Sequence, residues 1–62
     1  MTIKDLKDVL DEGITVSIEN LWGESLLECR CVNIPSVYLP FSVSKIFVSG
    51  DRLIIVISED DI

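Results

Sequence analysis

Apolar and polar positions along the chain follow first a period near 3.6 and then a period of 2. Ile3, Leu6, Val9 and Leu10 recur at helical spacing, which sets them on one stripe of an amphipathic helix. Thr2 stands at the N-cap position with Asp5 three residues on, a short form of the capping box. Gly13 falls where a C-cap glycine belongs. From Ile14 the pattern alternates: Ile14, Val16 and Ile18 against Thr15, Ser17 and Glu19, the mark of a half-buried strand. "LWGE" supplies a turn, and "SLLECRCV" returns with Leu27, Cys29 and Cys31 on one face and Leu26, Glu28, Arg30 and Val32 on the other.

"NIPSVYLPF" interrupts the alternation, because Pro35 and Pro40 each remove a backbone donor and turn the preceding residue away from helix. A single helical turn opening at Pro35 fits there. "VSKIFVS", a Gly50-Asp51 turn and "RLIIVIS" then form a second hairpin, and Glu59-Asp60-Asp61-Ile62 reads as a fraying tail. The predicted layout is one α+β domain over residues 1–62, an N-terminal helix followed by two antiparallel β-hairpins forming a small sheet.

The last strand poses a packing problem. Leu53, Ile55 and Ile57 alternate with Ile54 and Val56, so both faces are apolar, and one short helix covers one face. The uncovered side is expected to carry Phe47, Ile54 and Val56, with Leu26 and Val32 if the first hairpin joins the same sheet. A patch of that kind exceeds what a soluble monomer usually exposes. A second copy of the chain and the "IPSVYLPF" segment are the expected covers, with a C2 homodimer as the commonest closed arrangement; strand-edge pairing across the axis is the alternative.

Size strengthens the expectation of self-association. A chain of 62 residues buries barely enough apolar surface to offset the entropy of ordering it, and small domains usually add disulfides, a metal or a second subunit. Two cysteines and no histidine leave little for the first two. Cys29 and Cys31, read as an i, i+2 pair on one strand, are too far apart for an easy disulfide and are expected as reduced core thiols. Four thiolates could meet across a dimer axis, but one chain falls short of a structural zinc set. No cofactor and no metal site are therefore expected.

Charge narrows the partners. Eleven acidic residues against five basic ones give a net charge of −6, and Lys4, Lys7, Arg30, Lys45 and Arg52 are scattered along the chain. That argues against direct binding to nucleic acid or anionic lipid and is compatible with a basic protein partner, although acidity also serves solubility alone. The charged N-terminus lacks the apolar core of a secretory signal, and no apolar run is long enough to span a membrane. A cytoplasmic location is expected.

Catalysis is not expected. Without histidine the commonest general base and the Ser-His and Cys-His pairs are missing, and Gly13, Gly23 and Gly50 stand apart rather than in a phosphate-binding loop. Contact residues are better represented. Trp22 in the turn, Tyr38 and Phe41 in the proline segment and Phe47 on the greasy hairpin are candidate partner-binding aromatics; Trp22 reads equally as a lid folded back on a small core. Asp5, Asp8 and Glu12 follow i, i+3, i+7 spacing and would line one side of the helix as a carboxylate row that imitates phosphates, against the plainer reading of a solvated helix face.

"TIKDLKDVLDEGITVSI", "NIPSVYLP" and "KIFVSGDRLIIVI" together resemble a loose class of very short acidic proteins encoded by phages and prophages of Gram-positive bacteria, which open with such a helix and continue into short strands. The resemblance implies a setting, in which short acidic phage proteins with known roles often inhibit host defence systems or host enzymes by binding them. The expected function is thus non-enzymatic: inhibition of a host defence or nucleic-acid protein by direct contact. The alternatives are an oligomeric sponge for a small nucleotide-like ligand and a structural or assembly component.

Overall fold

The computed structural model describes residues 1–58; the predicted frayed tail lies outside the described residues. The elements are α1 (Ile3–Lys7), β1 (Thr15–Glu19), β2 (Ser25–Arg30), β3 (Ser42–Ser49) and β4 (Arg52–Ser58), with single 3-10 turns at Cys31–Asn33 and Ser36–Tyr38 between β2 and β3. They form a small α+β fold on one four-stranded mixed sheet.

Helix α1 starts as predicted. The Thr2 hydroxyl accepts from the Asp5 N–H, and the Asp5 carboxylate accepts from the Thr2 N–H. It stops earlier than the apolar stripe suggests, at Lys7 with Asp8 as C-cap. Asp8 and Asp11 put negative charge at the end of the helix dipole that disfavours it, and the Asp11 carboxylate accepts from the Gly13 N–H at 3.1 Å, a local bond that competes with helical ones. Gly13 accordingly lacks the positive φ of a C-cap glycine, which occurs at Gly23 and Gly50. Val9, predicted on the buried stripe, is exposed, whereas Ile3 and Leu6 are buried and Leu10 packs against them.

Each predicted hairpin is antiparallel, but they join through a parallel pair. The strand order is β2, β1, β4, β3, and β1 runs parallel to β4 with Ile18 beside Ile55. The two-antiparallel-hairpin layout is corrected to that extent. Parallel pairs sit at the centre of a sheet and are buried on both faces, and this accounts for the continuous apolar run of β4. Gly50, at φ 64°, opens the two-residue β3–β4 turn with the sign pattern of type II′, which matches the twist of the flanking strands.

One face of the sheet carries Val16, Ile18, Ile55 and Ile57 into a core closed by Ile3, Leu6, Cys31 and Ile34. Burying each such aliphatic side chain contributes about 1.5–3 kcal/mol. The proline segment lies on this same face, with Tyr38, Leu39 and Phe41 packed on the core, so its expected place over the second face is corrected. Cys31 also leaves the strand: β2 ends at Arg30, and Cys31 opens a 3-10 turn with its side chain in the core.

The second face is narrower than expected. A bulge opposite Ile18 and Glu19 makes Leu26 an extra residue, and an extra residue shifts the side-chain alternation, so Leu26 packs on the core beside Leu27. Val32 lies in the 3-10 turn. Ser17, Ile54 and Val56 remain on the second face, and all three are buried; on the same face Arg52 bonds to Glu28, and Phe47 lies beneath the Lys45 ammonium. The large exposed patch predicted there is not formed.

Candidate functional site

The β1–β2 turn is built around one buried polar side chain. Asn20 is enclosed, and its Oδ1 accepts from the Trp22 N–H at 2.9 Å and the Glu24 N–H at 3.0 Å, while its Nδ2 donates to Glu24 Oε1 at 2.9 Å. The backbone adds Asn20 N–H to Glu24 C=O at 3.0 Å and Gly23 N–H to Asn20 C=O at 3.1 Å. Asparagine is suited to this work because its short amide reaches backbone donors two residues on. Gly23 supplies the φ of 86° needed to return the chain. The turn is thus fixed by internal bonds that use nothing of the Trp22 side chain.

That side chain is 77% exposed, and its neighbour Leu21 is 53% exposed. The lid reading of Trp22 is overturned: its indole covers no core. A large rigid aromatic held in water by an ordered backbone loses little conformational freedom when a partner covers it. Sequence reasoning singled out Trp22 but passed over Leu21 and Asn20, although an Asn three residues before a Gly is the composition of such a turn.

Among the described residues no ring contact joins Trp22 to the other candidate aromatics. Tyr38 and Phe41 are half-buried against the core, their ring centroids 6.0 Å apart, so much of their surface is already spent on the fold. Phe47 lies on the second face of β3 with the Lys45 ammonium 5.5 Å from its ring centroid, a cation–π contact. The carboxylate row is not formed as predicted, because α1 ends at Lys7 and Glu12 lies beyond it. Asp5 is engaged in the cap, where the hydrogen bonds from Thr2 hold its carboxyl below the usual value. Asp8 pairs with Lys4 at 3.7 Å on the open surface.

Two depressions of about 330 Å³ each flank the helix side. One is lined by Lys4, Lys7, Asp8, Leu10, Glu12, Cys31, Val32 and Leu39, where two acids offset the two lysines. The other is mostly apolar and lies between Leu10, Ile14, Val48 and Leu53 at the β3–β4 turn. Both cysteines are free thiols, and burial pushes both thiol pKa values up, with Lys7 pulling weakly the other way. Among the described residues no group of His, Cys, Asp and Glu is clustered for a metal ion, and no helix is long and apolar enough to cross a membrane.

Comparison with known proteins gives no matching family model and no match among curated proteins or solved structures.

Proposed function

We propose that the chain is a non-enzymatic binding protein that acts by direct contact with another protein, with Trp22 as the anchor and Leu21 beside it. The observation that carries this reading is the pairing of a turn fixed by the Asn20 hydrogen bonds with an unburied indole: Asn20 holds the backbone, and the Trp22 side chain is left exposed. Tryptophan is the residue most enriched where a few side chains dominate binding energy. A net charge of −6 favours a basic partner through faster encounter and salt-dependent affinity. The resemblance to short acidic phage proteins supplies the setting, a bacterial host protein of defence or nucleic-acid metabolism that is inhibited when covered.

Retention from a Gram-positive bacterial extract on the immobilised chain at low salt, followed by calorimetry with the purified partner, tests this. The partner should be released by salt, and Trp22→Ala should weaken binding by about 2 kcal/mol, roughly thirtyfold. A partner held equally well by Trp22→Ala, or none held at all, ends the proposal.

The second reading, a sponge for a nucleotide-like ligand, draws on the depression beside Lys4 and Lys7. Asp8 and Glu12 on its wall oppose a phosphate, so it ranks below contact with a protein. Ligand-induced thermal stabilisation by nucleotides would reverse that order.

A further inference from the structure

Strand β3 is an edge strand of eight residues, and among the described residues its outer side is paired only at its start. There the Val43 N–H donates to the Met1 C=O at 2.8 Å, the Ile3 N–H donates to the Phe41 C=O at 3.0 Å, and Thr2 bridges Ser42. Among the described residues the edge is open from Ser44 to Ser49, and it carries three exposed apolar side chains, Ile46, Phe47 and Val48, the last 71% exposed. Open edges of this kind are templates for another strand, and proteins usually blunt them with charge; here Lys45 is the sole charged residue of the strand.

The direction of the backbone groups follows from the hairpin. A two-residue turn closes Ser49 on Arg52, and the residues closing such a turn are hydrogen-bonded to each other. Counting back by twos, Phe47 and Lys45 address β4, while Val48 and Ile46 direct their N–H and C=O groups outward. Starting from the other end gives the same result, because the outward Val43 is followed by a bulge that shifts the alternation by one. On an antiparallel second copy, outward groups must meet outward groups. Ile46 then pairs with Val48 of the second copy, Val48 with its Ile46, and Phe47 with its own counterpart on a two-fold axis.

We infer that the chain forms a symmetric homodimer by antiparallel β3–β3 pairing about Phe47, which joins two four-stranded sheets into one continuous sheet. The register is self-complementary on both faces. Ile46 and Val48, which share the face of Ile55 and Leu53, meet as two aliphatic cross-strand pairs next to the apolar depression formed by Leu10, Ile14, Val48 and Leu53, and the two Phe47 rings meet on the opposite face. Charge selects this edge as well. In a chain of net charge −6, β3 contains no acid, so the copies approach where their mutual repulsion is least. The N-terminal bridge at Ser42 and the turn at Gly50 limit the length of the pairing and oppose slippage. This inference does not depend on the role given to Trp22.

Sedimentation equilibrium and oxidative cross-linking test it. The expected wild-type mass approaches twice the 6.9 kDa of the chain on concentration and falls on dilution. Val48→Lys, at an exposed position, should give the single-chain mass with unchanged circular dichroism, and Trp22→Ala should leave the dimer intact. Phe47→Cys should form an intermolecular disulfide under mild oxidation, since a non-hydrogen-bonded pair sets Cα atoms about 4.5 Å apart, within disulfide reach, whereas Lys45→Cys, opposite Ser49, should not. A wild type of single-chain mass at every concentration overturns the inference. So does a dimer that survives Val48→Lys, is lost in Trp22→Ala, or cross-links through Lys45→Cys but not through Phe47→Cys.

Discussion

Arg52 and Glu28 meet at 3.0 Å across the breadth of β1, the strand that separates their own strands β4 and β2. The bridge crosses the second face beside Ser17, which pairs with Glu28 on one side and Ile54 on the other, and Ser17 and Ile54 are both buried. A long charged side chain can shield apolar surface with its methylene stem while its head stays wet. The ends of this bridge remain 42% and 45% exposed, so water screens the pair, and its ionic part is worth less than about 1 kcal/mol. Glu28→Gln should therefore cost no more than that in urea denaturation, with the difference fading at high salt. Arg52→Ala should cost more and keep part of its effect in salt, because it also strips the stem from the sheet face.

The Asn20 turn makes a larger demand. Asn20→Ala removes the acceptor of the Trp22 and Glu24 N–H groups and the donor to the Glu24 carboxylate in one step. Groups left without a partner in a partly buried site cost about 1–3 kcal/mol each when water cannot reach them. The expected loss is in the same range of about 1–3 kcal/mol, measured by chemical denaturation. Trp22→Ala, which leaves every one of those bonds in place, should change stability by less than about 0.5 kcal/mol, as for other exposed positions.

Period and capping made α1's start, both hairpins and the core residues Ile3, Leu6, Val16, Ile18, Ile55 and Ile57 legible in the sequence. The parallel join of β1 to β4 was written less plainly. Alternation tells which face a residue takes but not which strand lies next to it, and the sign that β4 is central was its unbroken run from Leu53 to Ile57, which also suits an exposed greasy strand. The end of α1 was obscured because Val9 and Leu10 continue the period past the point where Asp8 and Asp11 make helix unfavourable. Leu26 shifted face through a bulge, and Cys31 left the strand for a 3-10 turn while keeping its place in the core, both backbone events that leave no mark on polarity. At the candidate site, Trp22 could be named but its exposure could not, since no periodicity extends into a turn.

The capping box makes stability depend on acid. Hydrogen bonds from the Thr2 backbone and hydroxyl lower the Asp5 pKa from 3.8 in the folded chain, so the folded state favours the ionised carboxyl more than the unfolded state does. Linkage then gives a contribution fully present above the unfolded value, which declines as pH falls through 3.8 and is gone below the lowered folded value. Asp5→Asn should remove that part of the acid dependence. Thermal melts of the two proteins should differ at neutral pH and converge in strong acid; parallel curves down to the lowest pH would show that the box contributes nothing.

The two thiols should separate by accessibility. Cys31 is 1% exposed and Cys29 is half-buried, and burial raises both pKa values above 9.0, which lowers the thiolate fraction that alkylating reagents attack. At mildly alkaline pH, iodoacetamide should modify Cys29 slowly and Cys31 only as fast as the chain opens, with both modified at once in denaturant. The same shifts have a stability consequence of opposite sign to that of Asp5. Raised thiol pKa values mean the folded state holds its protons longer, so the contribution is intact below 9.0 and is lost as pH rises through the folded values. Mass spectrometry of native protein against Cys31→Ala resolves the two sites, and rapid native labelling of Cys31 would place it outside the core that joins Ile3, Ile18 and Ile55.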